Sequence, residues 1–381
     1  MTADAGNEHQ RRKDDHIALA GQQQVKPVAR NDFDEVEFVH HALGGIDESR
    51  VRLDVRLGEL TWPVPLYING MTGGSDAATR INRELAITAR ETGLPMACGS
   101  MSITLRLPET ADGFRVLRDE NPDGFIMANL GAGRSGDDAR RVVDLIGANA
   151  LQLHLNAAQE TVMPEGERAF SGWARSVEQI VAAAGVPVIV KEVGFGLSRR
   201  TLLRLSELGV RIADVSGSGG TDFVSIENSR RRFGDYAFLA GYGQSALACL
   251  LDAPREGGPE LLASGGVRTP LDVVKALALG ARAAGVAGVF LKPATEGGAE
   301  ALVPLVQRWL TQLRQLHALL GAAEPSELRH TDLLLRGRIK EFCELRGIDP
   351  SGFSHRRDEA PLPRAPQPQA SETTSGGPNE R

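Results

Sequence analysis

From about residue 60 onward the chain alternates between two hydrophobic rhythms. Short, nearly continuous apolar runs rich in Val, Ile, Leu and Ala each end in Gly, Asn, Ser or a charged residue. An amphipathic stretch with apolar positions every three or four residues then follows. The runs predict strands at 65–69, 94–99, 124–130, 150–156, 186–192, 210–216, 259–265 and 281–288. Between them the 3.6-residue period predicts helices at 76–92, 109–120, 137–147, 173–184, 198–208, 243–252 and 270–279, and a last one at 296–320. Ser75-Asp76, Ser198 and Thr269-Pro270 are good helix starts, since a hydroxyl can cap the first turn and proline suits its first position. Eight βα repeats over roughly 250 residues point to a (β/α)8 TIM barrel rather than an open sheet. The near-continuous apolarity of the runs suits parallel strands covered on both faces. A doubly wound sheet is the alternative, but the first strand leads into NGMTGG and not into a GxGxxG turn.

Three regions fall outside the rhythm. Residues 1–60 carry a basic cluster and short strand-like runs such as VRLDVRL at 51–57, so they read as an N-terminal extension with 61–350 as the barrel. The segment 217–242 is too long for a connector and is expected to wall or cover a site. The end, 351–381, is rich in Pro, Ser and charge and is expected to be a disordered tail.

Composition changes this picture little. Hydrophobic residues make up 41% and charged residues 24%, as in an ordinary globular protein. The net charge of −6 offers no general attraction to nucleic acid or an anionic membrane. Cys98, Cys249 and Cys343 have no metal-ligand spacing and read as reduced thiols. The polar N-terminus lacks an apolar signal core, and the stretch ALALGARAAGVAGVFL is interrupted by Arg282. A cytoplasmic location with no membrane partner is expected.

In such a barrel the working face lies at the C-terminal ends of the strands. Here those ends are chemically rich: NGMTGG, CGSMS, ANLG, HLNAAQE, KEVGFG, VSGSGGTD, SGG and AG. Gly265-Gly266 before the Pro270 helix and Ala287-Gly288 after the eighth strand serve either as tight turns or as a phosphate cradle. Gly70, Met71 and Thr72, with Ser100, Asn129 and Thr221, could surround a flat heterocycle. Lys191 leaves an apolar strand as an ammonium. It is either an ion-pair partner of Glu192 or a cation beside the N1/O2 edge of an isoalloxazine. Donors from so many strands fit a phosphorylated flavin better than a sugar phosphate. Arg12, Lys13 and His16 are a solvated patch or an anion clamp.

Taken in order, RRKDDHI, INGMTGG, CGSMS, LQLHLNAAQE, VIVKEVGFG, DVSGSGGTD and ASGGVR closely resemble the type 2 isopentenyl-diphosphate isomerases, FMN-dependent (β/α)8 barrels, over roughly residues 10 to 350. The resemblance implies interconversion of isopentenyl and dimethylallyl diphosphate with reduced FMN, Mg2+ and NADPH or NADH as reductant, in a tetramer or octamer. By the same resemblance Arg12, Lys13 and His16 bind the diphosphate, while Ser100, Met101, Ser102, His154 and Asn156 border the substrate. Gln159 is the substrate glutamine, and Glu160 the metal ligand. FMN falls to Gly70, Met71, Thr72, Ser100, Asn129, Lys191, Ser216, Thr221, Gly265, Gly266, Val267, Ala287 and Gly288. Gly70 stands where other members often carry a slightly larger residue, and Ser102 where some carry Arg. Gln159 has no usable pKa, and a metal-bound Glu160 is a poor proton donor. His154 either shuttles a proton or is a neutral hydrogen-bonding group. No acid–base pair is evident, so the proton is expected to move on the flavin. The rivals are an FMN-dependent hydroxy-acid oxidase or dehydrogenase, and a non-catalytic flavin-binding barrel.

Overall fold

The computed structural model describes residues 2–25 and 31–358. Each of the eight predicted apolar runs contains a strand: β1 (Leu66–Ile68), β2 (Met96–Ala97), β3 (Ile126–Gly131), β4 (Ala150–His154), β5 (Val188–Lys191), β6 (Ile212–Asp214), β7 (Glu260–Ser264) and β8 (Ala283–Val286). They are parallel and close into a barrel, with β8 returning to β1 through the pairs Ala284↔Leu66 and Val286↔Ile68. The predicted helices lie between them, and their caps form as the hydroxyls require. Ser75 accepts from the Ala78 N–H, Ser198 from that of Thr201, and Thr269 from that of Asp272, with Pro270 opening the last of the three helices. The final stretch, Gly288–Leu319, is broken at Gly298, where φ is 61°. It therefore consists of a short helix at the strand tips followed by a long one on the outside.

The bottom of the barrel is plugged. Of the strand-like run 51–57 only Val55–Leu57 is a strand, and it pairs with Leu60–Trp62 in a hairpin. Val55, Leu57 and Trp62 pack against the barrel's interior side chains, among them Tyr67, Met127, Ile189 and Leu262. Water is thus excluded from one end, and the other end is left for chemistry.

Other parts of the fold depart from the sequence pattern. The N-terminal extension opens with a 24-residue helix, Thr2–Val25. Val36–Phe38 pairs antiparallel with Leu333–Leu335, joining the extension to the far end of the barrel. Two helices, Ala157–Val162 and Phe223–Arg230, interrupt stretches expected to be loop. At the C-terminus, Ser351–Phe353 forms a 3-10 turn, and Arg357 donates its N–H to Asp332 at 2.8 Å. Residues 351–358 are therefore structured, whereas the disorder expected from 359 onward lies outside the described residues.

Candidate functional site

The strand tips, the loop after β6 and the N-terminal helix enclose a cavity of about 1100 Å³. Nearly every residue singled out in the sequence lines it, from Arg12, Lys13 and His16 to Ala287 and Gly288. Met101 is the exception. Its side chain is fully buried in the hydrophobic core, and only its neighbours Ser100 and Ser102, whose hydroxyls lie 3.3 Å apart, face the space.

One side of the cavity is built from backbone. Gly265 and Gly266 turn the chain after β7 with φ of 94° and 80°, a conformation that disfavours any Cβ. A Cβ on Gly265 would also run into the Gly217 carbonyl. Beside them, at the tip of the neighbouring strand, Gly288 begins the short helix after β8, so first-turn N–H groups lie at the strand tips. Gly70 has no room for a side chain, because a Cβ there would meet the Cys98 carbonyl. The Thr72 hydroxyl is buried at the cavity wall and has no partner among the described residues, which is the mark of a donor awaiting a ligand. Glycine cradle, helix start and orphaned hydroxyl together fit the phosphate and polar edges of FMN.

Lys191 is buried. Its ammonium donates to the Glu192 carbonyl at 2.6 Å, while the Glu192 carboxylate turns away to accept the N–H groups of Val193 and Phe195. The ion pair with Glu192 is thus replaced by a backbone contact. Burial lowers the Lys191 ammonium, and nearby Asp214 and Glu192 only partly restore it. Ser216 lines the cavity with φ of 38°, unusual for a residue with a side chain, but its hydroxyl is engaged by Asp214 and Ser264.

The facing side carries the ionic chemistry. The N-terminal helix is anchored at several points. Ser75 donates to Asp14 at 2.7 Å, and Gln23 exchanges hydrogen bonds with the Asp222 backbone. His16 Nε2 stands 3.0 Å from Glu227 Oε1. Glu227 is fully buried and also accepts from Gln159 at 2.8 Å and from Arg230. Burial alone would raise its carboxyl, but the approach of His16 and the bonds from Gln159 and Arg230 outweigh that and bring it to about 2. Glu227 thereby ties the clamp helix to the glutamine. It went unmarked in the sequence because it sits in a segment with no strand-end signature.

Loss of hydration, then repulsion from Arg12, lowers the Lys13 ammonium to about 8. Glu160 accepts from Asn156 at 3.0 Å and from the Glu167 N–H at 2.8 Å. No group of three or more His, Cys, Asp or Glu able to hold a metal exists among the described residues. A metal bound here would lean on one carboxylate and take other ligands from phosphate and water, as Mg2+ commonly does. His154 contacts Asn129 Oδ1 through Nδ1 at 2.9 Å. Burial, then Lys191, Lys13 and Arg134, lower it to about 3, so it is neutral across the physiological range. Arg106 and Arg134, which carry no strand-end signature in the sequence, also line the cavity.

Comparison with known proteins gives the same direction. The family model for FMN-dependent dehydrogenases matches residues 134–335. An isopentenyl-diphosphate delta-isomerase of Kitasatospora griseola is 59% identical over 92% of this chain and 96% of its own length. Proteins of the same name from Streptomyces sp. (strain CL190) and Staphylococcus saprophyticus are 56% and 43% identical, covering 91% and 90% of this chain and 95% and 99% of theirs. Among solved structures, a mandelate oxidase with (S)-2-phenylpropionate superposes with a TM-score of 0.59 at 20% identity, over 84% of this chain and 90% of its own. That likeness concerns the fold alone. Agreement at this level along almost the entire length makes the chain a member of the FMN-dependent, type 2 isopentenyl-diphosphate delta-isomerase family.

Proposed function

We propose that the protein interconverts isopentenyl diphosphate and dimethylallyl diphosphate by a 1,3-proton shift without net redox change. The observation that carries this reading is the meeting in one cavity of Arg12 and Lys13, from the N-terminal helix, with Gln159 and Glu160, from beyond the end of β4. Two adjacent cations facing an open space suit a diphosphate. The Glu160 carboxylate in the same cavity suits a Mg2+ ion shared with that diphosphate. A hydroxy-acid oxidase instead needs a histidine base with an arginine clamp on late strands. Among the described residues the cavity's histidines are His16 and His154, and Arg268, after β7, is committed to Asp34 and Asp272.

The residues that would hold FMN are Gly265, Gly266, Val267, Ala287 and Gly288 at its phosphate, and Gly70, Met71, Thr72, Ser100, Asn129, Lys191, Ser216 and Thr221 around its ring and chain. When bound and reduced with electrons from NADPH or NADH, FMN would supply the group that gives and takes the proton. The chain's own residues aim and enclose. Gln159, its amide held by Glu227 at 2.8 Å, orients the alkene and cannot titrate. Arg12, Lys13 and His16 fix the diphosphate end, with the helix Thr2–Val25 keeping water from the reacting carbons. Neutral His154 and Asn156 border the substrate without competing for the proton.

The test is anaerobic incubation with isopentenyl diphosphate, Mg2+ and reduced FMN in D2O. Dimethylallyl diphosphate bearing solvent deuterium is expected, and steady substrate-dependent consumption of NAD(P)H or oxygen would point to the oxidase instead. Glu160→Gln should raise the Mg2+ concentration needed for half-maximal rate; an unchanged requirement removes Glu160 as the metal ligand.

A further inference from the structure

Below the cavity the barrel holds a carboxylate that the proposed reaction does not use. Asp214 is wholly buried at the end of β6. It accepts from the Tyr67 hydroxyl at 2.6 Å, Ser264 Oγ at 2.8 Å, Ser216 Oγ at 3.2 Å, the Ser216 N–H at 3.0 Å and Asn69 Nδ2 at 3.2 Å. Burial and this neighbouring carboxylate push the Tyr67 phenol well above its usual range, so it stays a donor.

The Asn69 amide is therefore pinned at both ends. Its Nδ2 faces Asp214, while its Oδ1 accepts the Gly70 N–H at 2.9 Å. A carboxylate only accepts and a peptide N–H only donates, so one amide orientation is possible. Each link then fixes the next. Gln152 donates from Nε2 to Asn69 Oδ1 at 3.2 Å and accepts on Oε1 from Asn129 Nδ2 at 3.1 Å. Asn129 Oδ1 is left facing His154 Nδ1 at 2.9 Å. An amide oxygen cannot donate, so the ring proton belongs on Nδ1 and Nε2 keeps its lone pair. Nε2 lies on the Gly131 side of the ring, where a Cβ would stand only 3.0 Å away.

We propose that Asp214, acting through Asn69, Gln152 and Asn129, is a positioning residue that holds His154 as the Nδ1–H tautomer and so presents a hydrogen-bond acceptor to the cavity. The group His154 meets there is accordingly an O–H donor, such as a hydroxyl or a metal-bound water, and not a fully ionised phosphate oxygen. The relay crosses the barrel interior on β3 and β4 and the tips of β1 and β6. It exists only when the barrel is closed, which ties the ring's state to the whole fold. The inference rests on the interior geometry and on His154 lining the cavity. It stands or falls separately from the reaction assigned above.

The test is 15N NMR of histidine-labelled holoprotein as purified, with the His154 signal identified by its loss in His154→Gln. A single Nδ1–H tautomer is expected in the wild type; an Nε2–H ring overturns the proposal. In Asp214→Asn the amide can donate as well as accept, only the Gly70 N–H still orients Asn69, and a clear fraction of the Nε2–H tautomer should appear beside the Nδ1–H form. Gln152→Met breaks the relay midway while leaving Asp214 its contacts with Tyr67, Ser216 and Ser264, so it should give the same mixture in a protein that still folds. An unchanged single tautomer in the Gln152→Met protein would sink the role given to Asp214.

Discussion

Lys13 and Lys191 are both cations held below their normal range by burial, but their surroundings give them different roles. Lys13, at about 8, is pushed down by lost hydration and by Arg12. It carries its charge below that pH and sheds it above. Binding of a diphosphate needs the charge, so KM for isopentenyl diphosphate should climb as pH rises through about 8. Lys13→Arg, whose guanidinium does not titrate there, should flatten the climb; a climb that persists unchanged in the variant assigns it to another group. Lys191 is set by its contact to the Glu192 carbonyl and by the proximity of Asp214. Lys191→Met should leave oxidised FMN bound but lower the rate with reduced FMN at least about tenfold, since a cation matters most where negative charge develops. Parallel loss of flavin binding and rate would remove this electronic role. Both lysines were visible in the sequence, Lys191 because an ammonium ending an apolar strand is conspicuous. The choice between ion pair and open cation for Lys191 was not, because it depends on which way Glu192 turns.

The N-terminal helix and the helix Phe223–Arg230 act as a pair. Their joint is Glu227, which contacts His16 on one side and Gln159 and Arg230 on the other. Removing it leaves buried polar groups unpaired and frees the glutamine. Glu227→Ala should therefore raise KM for the diphosphate and lower turnover by about a hundredfold, the cost of a misplacement near 1 Å. Faster proteolysis within Thr2–Val25 should accompany it, and wild-type kinetics would deny the joint. These two helices are also what the sequence pattern failed to show. The barrel helices announce themselves by a one-sided apolar stripe and a capping hydroxyl. The segment 2–25 is polar almost throughout, and among its described side chains Ile17 and Ala20 are the hydrophobic ones that pack against the core. The second helix buries Glu227 beside Val224 and Ile226, so its inward face is mixed. For both, the partner that makes the helix worthwhile lies far away in the chain.

At the scale of the molecule, the barrel itself was legible because each βα unit carries its own local period. The plug and the Val36–Phe38 pairing with Leu333–Leu335 were not, since those contacts join distant segments and leave no periodic trace. The plug separates stability from function. Trp62 is fully buried at the end opposite the cavity. Trp62→Ala should cost about 3–5 kcal/mol in denaturant unfolding while leaving FMN binding unchanged; loss of flavin at full stability would reverse that division. The site was read from strand ends and from the segments RRKDDHI and LQLHLNAAQE, and the cavity gathers those residues apart from Met101. Arg106, Arg134 and Glu227 were missed because they belong to none of those segments. In the function proposed above, the mouth of this barrel holds a flavin that moves the proton and is not consumed. The most direct measurement counts dimethylallyl diphosphate formed per equivalent of reductant under anaerobic conditions, with flavin present and with flavin stripped. Many products per equivalent with flavin and almost none without it are expected. One product per equivalent, or an undiminished rate in the stripped protein, would contradict the account.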